Sequence, residues 1–440
     1  MKTKIKILIL VPVLILATVI IYGLSLISAV RNDVKKNQDY VKKEIARIKE
    51  TGEPVTVSDL GKINIPKSQN AAYIYLKAFK YLPKIKSKSS DKNDWSYINS
   101  LDKSLNSNPK VIENAREQVK AAEKSLWLME KAVLLPICRF PRDYSNPVKT
   151  KYTEYKFIRE LARLASAKAA LQILDYNSDT AIKYSLLSLK TNQACISEPS
   201  IIGQLVRYAI IAIGCKSIYR NCLGSSLKNN QLQNIYNELS KINTDKSIRF
   251  ALINERAMGL WCFDNPGEVL NIDGVEIPVS KQSLIKDNTF FLKRMREVID
   301  VCDIPYYKRV SMGIDKKLEE IPNSPQYMIS VMVLPVFVGF AKQKDKAKTT
   351  ITATKIMLLL KMYHNNYTEY PDSLSQLANN LGKTIDNDPF SGKSFKYKKD
   401  GNGFILYSIG ENLKDDGGVS SLDLKAKDQS SDNVDMVWKL

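Results

Sequence analysis

An uncharged stretch of 24 residues, Ile7 to Val30 (ILILVPVLILATVIIYGLSLISAV), constrains this 440-residue chain more than any other feature. About 20 apolar residues in a helix cross the hydrocarbon core of a bilayer, so a transmembrane anchor is expected over residues 1–31. Lys2, Lys4 and Lys6 resemble the basic start of a signal peptide, and the Ser28-Ala29 pair sits near a cleavage position. The run is nevertheless longer than the 7–15 apolar residues of a cleaved signal, so an uncleaved signal anchor is the expectation. No cysteine follows the run directly, which argues against a lipoprotein anchor. Basic residues flank both ends, Arg31, Lys35, Lys36, Lys42, Lys43, Arg47 and Lys49 on the distal side. The short amino-terminal tail favours the amino terminus inside. That makes a single-pass protein of the cytoplasmic membrane with its bulk extracytoplasmic, on the periplasmic side.

Residues 32–344 read as a helical domain, because apolar positions recur at helical spacing and cover a core. In QNAAYIYLKAFKYL (Gln69–Leu82), Ala72, Tyr75, Ala78 and Phe79 share a face, and Val111 to Val133 brings Leu126, Leu128, Met129 and Val133 together. Between them a Lys/Ser/Asn-rich stretch, about 83–107, is expected to be a mobile loop. The most regular portion runs from Tyr155 to Cys215. Phe157, Leu161, Leu164, Ala165, Ala169 and Leu171 line one helix, Asp175 to Ser178 make a turn, and Ala181, Tyr184, Leu187 and Leu189 line a second. The pair is tetratricopeptide-like, but no 34-residue period repeats along the chain, so an irregular helical array is expected rather than a solenoid. The apolar stretch Tyr327–Phe340 is short for a bilayer and holds Pro335, which points to a core helix and not a second span.

Residues 345–440 form a small α+β unit. TTITATKIMLLLKMYH (Thr349–His364) is a helix with Ile351, Ile356, Leu359, Leu360 and Tyr363 near one face. Ser373 is placed to cap a second helix carrying Leu374, Leu377 and Leu381, and Gly382 to end it. Ser394 to Lys398 alternates polar with aromatic residues, and Asp400-Gly401-Asn402-Gly403 separates it from Phe404 to Ile409, the pattern of a β-hairpin. The hairpin leads into a loop crowded with oxygen donors and glycines, FILYSIGENLKDDGG (Phe404–Gly418). A hard cation such as Ca²⁺ takes six to eight oxygen ligands from such loops, and a solvated acidic turn is the alternative.

The order of YPDSLSQL (Tyr370–Leu377), DPFSGKSFKY (Asp388–Tyr397), DGNGF (Asp400–Phe404), the donor-rich loop and DNVDMVW (Asp432–Trp438) resembles the carboxy-terminal domain of the major pseudopilin of type II secretion systems, over about residues 350–440. The resemblance implies a calcium loop with Asn412, Asp415, Asp416, Asp432 and Asp435 as candidate side-chain ligands. Two departures stand beside it. Val419–Ser431 is longer and more basic than that family's loop, and no Gly followed by Phe-Thr-Leu-Ile-Glu-like residues enters the apolar run, so an ordinary fibre subunit is not implied. NAAYIYLKAF (Asn70–Phe79), CRFPRDY (Cys138–Tyr144), Phe157–Lys190 and EPSIIGQLVRYAI (Glu198–Ile210) also resemble an uncharacterised family of membrane-anchored bacterial proteins common in planctomycetes. That resemblance implies an architecture and no chemistry.

The net charge of +20 is spread over helix surfaces, Lys exceeds Arg, and no zinc-finger, helix-turn-helix or ribonucleoprotein signature is present, so nucleic acid is not an expected partner. The field suits anionic lipid or acidic envelope polymers. Cys138, Cys195, Cys215, Cys222, Cys262 and Cys302 contain no CxxC, and buried free thiols are expected over three disulfides. His364 is the only histidine, and GxSxG, HExxH, Walker-type and GxGxxG motifs are absent from the sequence. The expectation is a non-enzymatic, membrane-anchored envelope protein with a Ca²⁺-binding pseudopilin-like domain, making protein contacts in or beside a type II secretion or pilus-like assembly. The alternative is an enzyme acting on an envelope polymer through paired carboxylates of the helical domain, such as Glu319-Glu320, facing a cleft.

Overall fold

In the computed structural model, residues 2–60, 65–83, 109–223, 226–272, 274–322, 324–419 and 435–440 are described. Most of them are helical, and the expectation of a mainly α chain ending in a small antiparallel sheet holds. The expected mobile loop at about 83–107 falls almost entirely outside the described residues.

One helix, α1 (Lys2–Glu50), occupies the amino-terminal part. At about 1.5 Å per residue its 49 residues run for about 70 Å. Its distal half docks: Ile48 is fully buried, Thr289 Oγ1 donates to the Asn37 carbonyl at 3.3 Å, and Arg296 pairs with the buried Glu44. The described apolar residues nearer the amino terminus have no such cover, and Ile20, Ile21, Tyr22, Leu24, Leu26, Ile27 and Val30 are 44–67% exposed.

A first apolar core gathers α2 (Ala72–Phe79), α3 (Pro109–Ala121), α4 (Glu123–Ala132), α5 (Glu154–Leu174) and α6 (Ser178–Lys190). The segment read as one amphipathic stretch, Val111–Val133, is two helices that break at Ala122. The α5–α6 hairpin forms as its periodicity predicts. Tyr176 takes the left-handed conformation in the turn (φ 56°), and the Asn177 side chain accepts from Thr180 N–H to cap α6. Small residues let the helices approach. Ser188 Oγ donates to the Ala162 carbonyl at 2.8 Å, and a Cβ at Gly214 would lie 2.5 Å from Leu189 Cα.

Gly214 belongs to α7 (Ile201–Cys222), which packs on α5, α6 and the long helix α11. Ile201–Asn221 is by length and composition apolar enough to cross a bilayer, but 67% of its most apolar window is buried inside the protein, as in a core helix. Helices α8 (Asn229–Ser240), α9 (Asp245–Asp264) and α10 (Lys281–Val301) complete the body. Pro335 does not sit inside a helix. It opens α11 (Pro335–Tyr367) after the short helix Met328–Val333, as proline does at a first helical position.

α11 is continuous across residues 344–345, and one apolar cluster joins Ile48 and Phe291 of the helical body to Ile356, Leu377, Phe395, Phe404 and Leu406 of the tail. The charged run Lys342–Lys348 on α11 is partly interior: Lys344 Nζ donates to the Cys302 carbonyl at 2.9 Å, and the buried Asp345 accepts from Tyr306 N–H at 3.0 Å. Beyond α11 the Ser373 side chain caps α12 (Leu374–Leu381) by accepting from Gln376 N–H, and Gly382 closes it in the left-handed conformation. Strands β1 (Lys396–Asp400), β2 (Gly403–Ser408) and β3 (Met436–Lys439) follow in the order β1-β2-β3, all antiparallel. Asp400 pairs with Gly403, so the hairpin turn is Gly401-Asn402 alone, one step tighter than the sequence pattern, with Gly401 supplying the positive φ of 55°. Cys138, Cys195, Cys215, Cys262 and Cys302 are buried free thiols, and the Cys222 side chain lies outside the described residues.

Candidate cation-binding loop

The donor-rich loop leaves β2 at Ser408 and is fixed at its root by the DPF turn. Buried Asp388 accepts from Phe390 N–H at 3.0 Å and from Ser408 Oγ at 2.8 Å. Its next residues are tied to the helical body. The Glu411 carboxylate meets Lys342 at 3.5 Å and Lys346 at 3.2 Å, both on α11, and its carbonyl accepts from Tyr306 Oη at 3.2 Å. Gly417 and Gly418, both at positive φ, then turn the chain so that Gly418 lies beside the Ile405 and Tyr407 side chains of β2.

The five candidate ligands part company here. Asp415 faces outward: Lys396 Nζ lies 2.9 Å from its Oδ2, Tyr407 Oη donates to Oδ1 at 3.0 Å, and the Lys396 ammonium holds its carboxyl below the ordinary range. Asn412 Nδ2 donates to Asp416 Oδ2 at 2.8 Å, and Asn412 Oδ1 accepts from Lys414 N–H. Asp435, at the mouth of β3, is 4% exposed; its Oδ2 accepts from Gly418 N–H at 2.7 Å, whereas its Oδ1 is buried without a hydrogen bond of good geometry. Asp432 lies outside the described residues.

Burial raises the Asp435 carboxyl above its usual value, and the charges of Asp416 and Asp415 add to that, while the Gly418 and Asp416 amides pull against it. A buried carboxylate oxygen with only a poorly aligned partner is costly, and a cation beside Asp416 and Asp435 would remove the cost. Among the described residues no three His, Cys, Asp or Glu side chains converge at ligand spacing. Any cation shell here therefore draws on Asp416, Asp435, the Asn412 amide and backbone carbonyls, in the manner of hard-cation loops. The sequence pattern alone did not show that Asp415 belongs to Lys396 and Tyr407, because those contacts bridge the β1–β2 hairpin to the loop.

Other charged groups in the interior have structural partners. Glu319 and Glu320, the adjacent carboxylates singled out in the sequence, are by contrast exposed at a helix end. His364 packs against Tyr370, their rings 4.8 Å apart and tilted by 39°. Asp287 accepts from Ile329 N–H at 2.9 Å and caps the short helix after it. Glu255 on α9 accepts from Ile201 N–H at 2.7 Å, capping α7, and burial pushes its carboxyl up to about 7. A folded pKa raised above the unfolded value of 4.5 contributes stability that is present below 4.5 and is lost as pH rises through about 7. Some solvent still reaches this residue, so the loss is about 1–2 kcal/mol. Glu255→Gln is expected to abolish that share of the stability difference between pH 5.5 and pH 8, read by urea unfolding; an unchanged difference would contradict the assignment.

Comparison with known protein families, with curated proteins and with solved structures returns no match.

Proposed function

We propose that this chain is a non-enzymatic, single-pass protein of the cytoplasmic membrane whose helical body and pseudopilin-like tail stand on the extracytoplasmic side and make protein contacts in or beside a type II secretion or pilus-like assembly. The observation that supports this most is α1. A single continuous helix docks its charged half on α10 and leaves the apolar residues Ile20–Val30 uncovered, although an exposed apolar surface of this kind is unfavourable in water. A bilayer covers it, and the docked half carries the body at a fixed distance from the membrane surface.

In this reading Asn412, Asp416 and Asp435 hold Ca²⁺ together with backbone carbonyls. The ion supplies the positive charge that the buried Asp435 carboxylate lacks and so closes the β2–β3 connection. Glu411, tied to α11, couples that closure to the body. The basic surface favours anionic lipid or polymer as neighbours. An enzyme acting on an envelope polymer would need two carboxylates facing an open cleft; the buried Glu198, Asp287 and Asp345 are instead bound by Arg142, by helix N–H groups, and by Tyr306 N–H with Arg309. Protease added outside spheroplasts is expected to remove an epitope placed after Leu440, and an epitope protected until the membrane is permeabilised would overturn the orientation.

A further inference from the structure

A cavity of about 560 Å³ opens between α6, α7, α8 and the Ile137–Arg139 segment, well away from the tail loop. That volume is typical of sites for small organic ligands, about 300–1,000 Å³. Its wall is largely apolar, with Ile65, Ile137, Leu189, Ile242 and Phe250 contributing. Its charge is one-sided: Arg139, Lys190, Arg207 and Lys241 face a single carboxylate, Glu238. Glu238 binds both lysines, Lys190 at 3.0 Å and Lys241 at 2.5 Å, with Lys241 exposed at the mouth.

The two arginines have no carboxylate partner among the described residues. Arg207 is 2% exposed and donates only to neutral oxygens: Asn192 Oδ1 at 3.2 Å, Ser247 Oγ at 2.7 Å and the Asn243 carbonyl at 2.8 Å. Arg139 likewise donates to the carbonyls of Ser197 and Leu60, both at 2.6 Å. A guanidinium has five N–H donors in a fork suited to a carboxylate, so three contacts leave Arg207 two more. A buried cation without a counter-charge is strongly disfavoured unless something completes it. An apolar wall around such a cation selects an anion carrying a hydrocarbon chain. One carboxylate at the cavity suits a monoanion, because Glu238 already neutralises part of the lysine charge and repels a second negative charge.

We propose that this cavity binds a long-chain carboxylate, with the carboxylate at Arg207 and the chain against Ile137, Leu189, Ile242 and Phe250. The test uses the full chain in amphipol with the fluorescent probe 11-(dansylamino)undecanoate, protein-free amphipol being subtracted. Decanoate is expected to displace the probe, and decanol to do so at least about tenfold more weakly, as expected where a charge-assisted hydrogen bond is lost. Arg207→Met is expected to weaken decanoate by a similar factor. Because that variant removes a buried side chain, Arg139→Gln serves beside it, with an expected loss of about threefold or more, a cooperative unfolding transition showing that each variant is folded. A wild-type protein that does not bind the probe, equal displacement by decanol and decanoate, or an Arg139→Gln protein that binds decanoate like wild type would overturn the proposal. Decyl phosphate displacing the probe better than decanoate would overturn the choice of a monoanion.

Discussion

Arg142→Met is expected to destabilise the full chain by about 3–5 kcal/mol, the cost of leaving a buried charge without its partner. Arg142 follows the Cys138–Phe140 stretch, and its side chain is 3% exposed. It pairs with Glu154 at 2.7 Å and with Glu198 at 3.2 Å, and its guanidinium lies 4.3 Å from the centre of the Tyr152 ring. Glu198 is fully buried, and its remaining donors are Phe140 N–H at 3.1 Å and Tyr155 Oη at 2.7 Å. Burial, and then the Glu198 charge, push the Tyr155 hydroxyl far above its ordinary range, so it stays protonated and donates. Methionine fills the volume of the arginine stem but leaves two carboxylates facing each other without a cation. Arg142→Lys restores one charge without the planar fork and is expected to recover part of the loss. Urea unfolding reads the difference, and a cost below about 1 kcal/mol for Arg142→Met would show the cluster to be solvated.

Millimolar Ca²⁺ acting on a micromolar site would stabilise the cation-loaded state by about 4 kcal/mol, which corresponds to a rise of several degrees in the unfolding temperature of the full chain. The three candidate aspartates that are described, Asp415, Asp416 and Asp435, are expected to respond differently. The raised Asp435 pKa means that its charge weakens the fold as pH rises past that raised value when no cation is present. Asp435→Asn in chelator should therefore unfold no earlier than wild type at neutral pH, while losing the response to Ca²⁺. Asp416→Asn should also lose the response. Asp415→Asn should keep it, because Asp415 is bound by Lys396 and Tyr407, and it should cost no more than an exposed ion pair, about 0–1 kcal/mol. Identical melting curves with Ca²⁺ and with chelator would remove the metal from the account.

What could be read from the sequence was local. The α5–α6 hairpin follows from its apolar period, the α12 cap from Ser373, and the β1–β2 hairpin from the Asp400-Gly401-Asn402-Gly403 turn signal after an alternating segment. Each of these depends on residues within a few positions of one another. What was not legible depends on distance. Arg142 and Glu198 meet 56 positions apart, at the end of an irregular segment, and no period announces them. By its sequence the chain divides between residues 344 and 345, yet Lys344 and Asp345 are buried against Cys302 and Tyr306, and α11 passes straight through. The break of Val111–Val133 at Ala122 was hidden because both halves keep helical patterning. At the candidate site the donor-rich composition was visible, whereas its division into an outward Asp415 and an inward Asp435 needed the sheet.

The reading of α1 carries the rest, since it decides where the body and tail stand. Two charges near the middle of the apolar run, Ile20→Arg with Ile21→Arg, oppose insertion by about 2.5–3.5 kcal/mol each, and both positions are exposed in the protein, so folding of the body is untouched. The decisive measurement is the distribution of the full chain between membrane pellet and supernatant after alkaline carbonate extraction. The wild type is expected in the pellet and the double variant in the supernatant as a folded protein; a wild type released by carbonate would contradict the membrane anchor.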